Sequence, residues 1–137
     1  MTEDSNLKNL LTYGIGTTNI DTTAEEAFLL KKGVCQDFAH ILISMARYND
    51  FPARYINGFL FEDANSTENT THAWVEIFIN DIGWIGFDPS HKKCVDEKYV
   101  RVSCGYDFLD ASTIKGVKTN YSGNENLLVK VQISQAQ

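Results

Sequence analysis

The sequence predicts an α+β fold, with helices first and an antiparallel sheet after them. Three observations predict it. Thr23-Ala24-Glu25-Glu26 is a capping-box pattern that opens a helix. Phe38, Ile41, Leu42 and Met45 recur at i, i+3, i+4 and i+7, the spacing of one helix face. Beyond Pro52 the apolar spacing changes to two, as at Ala73, Val75, Ile77 and Ile79.

The short segment Asn6 to Leu11 is assigned to the helical first part, and Tyr13 to Asp21, rich in Gly, Thr and Asn, reads as a loop. A helix follows over Ala24 to Lys32, with Thr23 as N-cap, Lys31 and Lys32 matching the dipole of its last turn, and Gly33 as its stop. A second helix begins at Val34 or Cys35. It ends near Asn49-Asp50, because the residue before Pro52 avoids helical geometry. Its mostly apolar stretch from Phe38 to Tyr48 predicts a central, largely buried helix. Strands are expected over Ala53 to Phe61, His72 to Asn80, Trp84 to Phe87, Tyr99 to Ser103 and Leu127 to Ile133. Glu62 to Thr71 is a polar loop, and Asp81-Ile82-Gly83 is the turn of an antiparallel hairpin.

At 137 residues, with neither repeat nor linker, the chain is expected to be one domain over residues 1–137. Its 43% hydrophobic and 22% charged residues are ordinary for a soluble globular protein. No apolar run approaches the ~18–20 residues of a membrane span. The net charge of −6 lacks the basic footprint of a nucleic-acid binder and argues against anionic lipid. The start, Met1 to Ser5, is polar and acidic, unlike a secretory leader, so a cytoplasmic location with reduced thiols is expected. Of three cysteines, Cys94 and Cys104 could pair, but read as buried or half-buried small residues.

Cys35 stands apart. It opens the central helix, where unpaired N–H groups carry about half a positive charge and favour a thiolate. His72 heads a strand just after a polar loop, a place where a rigid element presents a side chain near solvent. Asp88 ends the next strand. Through the Asp81–Gly83 turn the two come together, although unequal counts on the two sides call for a bulge or a crooked strand end. A carboxylate on one imidazole nitrogen fixes the tautomer and leaves the other to face the sulfur. The three residues could instead ligate zinc with an open position, but no CxxC or HxxxH pair accompanies them, so no metal and no cofactor is expected.

These residues sit in segments that resemble the bacterial transglutaminase-like superfamily. Gly33-Val34-Cys35-Gln36-Asp37-Phe38-Ala39-His40 is similar to its nucleophile segment, and Pro52 to Phe59 to the strand that follows. Thr71-His72-Ala73-Trp74-Val75-Glu76 resembles its histidine segment, and Gly83 to Pro89 its aspartate segment. Gly105 to Asp110 resembles a downstream motif, with Tyr106 where the family usually has Arg. The resemblance runs from about Leu11 to Ile133. It implies a papain-like core, a Cys-bearing helix on an antiparallel sheet that carries His and Asp. Family members usually carry a β-rich region ahead of this core. The chain is therefore expected to be either a minimal form or an excised domain.

The implied activity is acyl transfer, with Cys35 as nucleophile, His72 as general base and acid, and Asp88 as orienting carboxylate. Hydrolysis of peptide or protein amides through a thioester is the first reading. An amine-accepting transglutaminase and a catalytically idle peptide-binding module are the alternatives. The oxyanion donors would be the Cys35 N–H and a second group, for which Gln36 and Tyr13 are candidates. Trp74 and Trp84 are candidates to wall the cleft, with core packing as the plainer reading. Asp37 is expected to point away from the sulfur, His40 to be structural and His91 to be solvated.

Overall fold

The computed structural model describes residues 11–61, 71–117, 119–120, 122–124 and 128–133. A two-residue strand β1 (Thr12–Tyr13) comes first, then helix α1 (Ala24–Leu30), strand β2 (Lys32–Gly33) and the long helix α2 (Cys35–Tyr48). Strands β3 (Ala53–Leu60), β4 (Thr71–Ile79), β5 (Gly83–Asp88), β6 (Lys93–Cys94) and β7 (Tyr99–Gly105) follow, and then a single turn of helix, α3 (Phe108–Ala111). The five later strands form one antiparallel sheet in the order β6-β5-β4-β3-β7, and β1 pairs with β2 in parallel. This is the α+β architecture the sequence predicts.

Thr23 caps α1 as expected. Its hydroxyl accepts the Glu26 N–H at 3.2 Å, and the Glu26 carboxylate accepts the Thr23 N–H at 2.8 Å. The helix stops at Leu30, earlier than Lys32, and Lys31 rather than Gly33 takes the left-handed turn at φ 54°. The parallel pairing explains the difference. Thr12 and Gly14 donate to the carbonyls of Lys31 and Gly33 at 2.8 and 2.9 Å, which draws 31–33 out of the helix. Gly33 has another task. A Cβ there would lie 2.7 Å from Asp37 Cβ, so glycine lets this backbone run against the start of α2.

Helix α2 lies on the centre of the sheet. The core joins Ala39, Ile43 and Ala46 of α2 to Ala53 and Tyr55 of β3, Ala73 and Val75 of β4, and Ala111 of α3. Five of these eight are alanine, which lets helix and sheet approach closely. The inward stripe is therefore Cys35, Ala39, Leu42/Ile43 and Ala46, one position round from the expected one, and Met45 is 51% exposed. Phe38 is buried from another side, where Tyr13 stacks on it at 6.4 Å. Two stripes on one helix both satisfy the 3.6-residue period, so spacing alone could not separate them.

Two further expectations need correction. Residues 128–133 belong to no strand, and Leu128 and Val129 are exposed; their alternation offers a face, but no sheet edge takes it up. Cys94 and Cys104 are both exposed and lie on β6 and β7, the opposite edges of the sheet. Four strand spacings, about 19 Å, separate those edges, far beyond disulfide reach. Leu127, the loop over 62–70 and residues 6–10 lie outside the described residues.

Candidate active site

Helix α2 begins with Cys35, which is half-buried. Its first turn is held by Asp37, 1% exposed, whose carboxylate accepts the Val34 N–H at 2.8 Å and the Thr18 hydroxyl at 2.6 Å. The acid caps its own helix, so its charge is spent on those donors rather than on the sulfur.

The β4–β5 ladder runs without a bulge from Ile79↔Gly83 to Val75↔Phe87. Continuing this register puts Asp88 opposite Trp74, on the face Trp74 shares with His72. The contact is a diagonal cross-strand pair, within reach of a long side chain. The bulge expected from counting is unnecessary. His72 donates from Nε2 to Asp88 Oδ2 at 2.6 Å, and both residues are buried. Cys35 acts on the same imidazole: its side chain is among the groups that raise the proton affinity of His72. Helix start, strand head and strand end thus converge on one chain of contacts, Cys35 to His72 to Asp88.

Burial alone would disfavour a charged His72. The bonds to Asp88 and Cys35 outweigh it and raise the group from 6.5 to about 9. Burial would likewise raise Asp88, but bonds from His72, Ser90 and Tyr99 hold its carboxyl well below the ordinary range. A cationic His72 is held more tightly in the folded chain than in the unfolded one. Its contribution to stability is therefore full below pH 6.5 and fades as pH rises through 9. The urea midpoint should fall between pH 7 and 10, and His72→Gln should flatten that slope.

Sequence reasoning missed the donors around Asp88. Its Oδ1 accepts the Ser90 N–H at 3.0 Å, the Ser90 hydroxyl at 2.7 Å and the His91 N–H at 3.1 Å. Its Oδ2 also accepts His91 Nδ1–H at 2.8 Å and the Tyr99 hydroxyl at 2.7 Å. The turn chemistry of Asp88-Pro89-Ser90-His91 was a readable signal, because an Asp often accepts the N–H two residues on. Tyr99 was not readable. It comes from β7 and crosses the sheet face over Trp74, with ring centroids 5.3 Å apart. Asp88 Oδ2 and the two ring nitrogens are ligand-type atoms within 4.8 Å of one another, and they are spent on bonds among themselves.

The remaining candidates are placed as follows. Trp74 is 1% exposed and stacks beside His72 at 6.3 Å; it backs the imidazole and offers no face to a substrate. Trp84 is half-exposed on β5 under the Arg54 guanidinium, 4.1 Å above its ring. Tyr13 is exposed and pairs with Gly33, two residues before the sulfur. Gln36 Nε2 is buried without a hydrogen-bond partner, an orphan donor next to Cys35. His40 is structural: burial lowers its proton affinity, and its Nε2 accepts the Phe108 N–H at 3.2 Å. Tyr106 is exposed beneath Arg47, whose guanidinium lies 3.7 Å over the ring and donates to the Tyr106 carbonyl. Arg47 is twelve residues along α2 from Cys35, about 18 Å of helix, so this motif braces the far half of α2.

The family model of the transglutaminase-like superfamily matches residues 5–89, which contain Cys35, His72 and Asp88. The chain belongs to this superfamily. An uncharacterized protein of Mycobacterium bovis is 33% identical over 132 residues, covering 89% of this chain and 41% of that one. One from Mycobacterium leprae is 34% identical over 121 residues, covering 85% and 42%. The chain thus spans about two fifths of the length of these curated relatives. The crystal structure of a putative cysteine protease from Cytophaga hutchinsonii superposes with a TM-score of 0.66 at 34% identity, covering 76% of this chain and 34% of that one. Family and fold are those of cysteine-dependent enzymes. Among the described residues no helix is long and apolar enough to cross a membrane.

Proposed function

We propose that this domain is a cysteine-dependent acyl-transfer enzyme that hydrolyses peptide or protein amides through a Cys35–His72–Asp88 triad. The observation that carries the reading is the buried His72–Asp88 bond at 2.6 Å, with Cys35 at the start of α2 acting on the same imidazole. The thiolate attacks the amide carbonyl carbon, and the Cys35 N–H and the Gln36 amide supply the oxyanion donors. His72 gives its proton to the leaving amine as the C–N bond breaks, which leaves a thioester on Cys35. The neutral imidazole then takes a proton from water. Attack of that water on the thioester breaks the C–S bond, releases the acid and restores the thiolate–imidazolium pair. Asp88 stays ionised throughout and stabilises the imidazolium. The two exposed free thiols on the sheet edges suit a reducing, cytoplasmic setting.

A peptidyl chloromethyl ketone tests the proposal, because Cys94 and Cys104 are internal controls. Both are more exposed than Cys35. Mass spectrometry should find the first adduct on Cys35, at a rate at least tenfold above the controls, and no fast adduct in Cys35→Ala. Alkylation of Cys35 no faster than of the two edge thiols would overturn the assignment.

A further inference from the structure

Asp88 Oδ2 carries more donors than one oxygen ordinarily serves. His72 Nε2–H, His91 Nδ1–H and the Tyr99 hydroxyl reach it at 2.6, 2.8 and 2.7 Å. Oδ1 is taken by Ser90 and the His91 backbone, so the carboxylate has no free side to turn to. It is also 1% exposed, and water does not dilute the competition. Whatever charge density His91 draws from Oδ2 is denied to His72. His91 differs from the other two donors in one respect. Its side chain is 43% exposed, and it is an imidazole, able to take up a second proton from solvent. Its ring centroid is 5.2 Å from that of His72, close enough for a like charge to be felt.

We propose that His91 is a positioning residue which acts on His72 through their shared Asp88 oxygen and sets the pH range in which the Cys35–His72 pair works. The inference rests on the triad reading above. With His91 neutral, its N–H holds the carboxylate in the plane that meets His72. With His91 cationic, it takes a larger share of Oδ2 and sets a positive charge beside His72, which then holds its proton less tightly. Among the described residues, the titratable and charged groups around His91 come from each neighbouring element. They are Asp88 of β5, His72 of β4 with Cys35 of α2 beyond it, Tyr99 of β7, and Lys92 and Lys93 next in sequence. The Lys93 ammonium is bonded to Asp96 at 2.8 Å and lies 5.2 Å from the Tyr99 ring. Lys93 is thus already paired with a carboxylate, and Asp88 is the acid to which His91 itself is bonded.

The test follows the His72 ring by nitrogen NMR across pH, in the wild type and in His91→Ala and His91→Asn, with Cys35 alkylation rates measured in parallel. Asparagine places a neutral amide donor near the position of the imidazole Nδ1 and cannot titrate. Removing the competing donor in His91→Ala should raise the His72 midpoint by about half a pH unit, a roughly threefold tighter hold on the proton. His91→Asn, which keeps a donor for Asp88 Oδ2, should bring the His72 midpoint back to the wild-type value. The alkaline limb of the alkylation profile should move with the NMR midpoint. If His72 titrates identically in all three proteins while alkylation slows equally at every pH, His91 is merely structural and the proposal fails. Should His91→Ala not fold, His91→Val, which also lacks the donor, decides the matter by the same shift of the His72 midpoint or its absence. The NMR readout is independent of turnover, so a Cys35 that ignores the chloromethyl ketone would sink the enzymatic reading without touching this linkage.

Discussion

Asp88→Asn should lower turnover of a peptide amide by about 10⁴-fold, the scale found when a triad carboxylate becomes an amide. Asparagine keeps the shape of the side chain but loses the charge opposite the imidazolium. The crowding of Asp88 sharpens the expectation. Both carboxylate oxygens accept only, and between them they receive six donors. Either orientation of an asparagine amide turns an NH₂ toward three of those donors. One orientation faces it to His72, forcing the other tautomer; the other faces it to Ser90 and the His91 N–H. A lower melting temperature should therefore accompany the lost activity, while circular dichroism keeps the native signature. Full activity in this variant would remove Asp88 from the mechanism.

Gly58→Ala should cost at least about 3 kcal/mol of stability, the upper part of the range for overpacking. A Cβ at this point of β3 would lie 2.1 Å from the Val100 carbonyl oxygen and 2.6 Å from the Trp74 ring. The first obstacle is backbone and cannot rotate away. It arises where the β3–β7 pairing shifts register between Asn57 and Gly58. The second obstacle is the indole that lies beside His72. Urea denaturation of Gly58→Ala should thus show a lower midpoint. The surviving folded fraction should also alkylate more slowly at Cys35, because a displaced Trp74 lets His72 move. A variant as stable as the wild type would show that β7 can slide at little cost.

The parts of this architecture that the sequence made legible were those with punctuation at both ends. Helix α2 lies between Gly33 and Pro52, and the β4–β5 hairpin is folded over Asp81-Ile82-Gly83 with clean alternation on one arm. The order of Cys35, His72 and Asp88 follows from those two units. The two-residue strands β1, β2 and β6 and the single turn α3 are too short to show any period. Spacing does not single out the inward stripe of α2, because Tyr13 covers Phe38 from outside the sheet contact. The alternation at 127–133 describes a strand only if an edge is available, which spacing cannot say. His91 read as a solvated loop residue because its bond to Asp88 depends on how the turn after Pro89 closes. Tyr99 depends on strand order, with β7 beside β3 rather than β5.

Asp37 makes the stretch ahead of α1 and the nucleophile's helix a single mechanical unit. One carboxylate ties Thr18 to the Val34 amide, while Gly14 is fastened to Gly33 by its own backbone bond. Extra residues inserted between Thr18 and Thr23 would loop out and leave both fastenings tight. The same insertion between Gly14 and Thr18 would put slack into the tether itself, loosening the sulfur from a point no substrate touches.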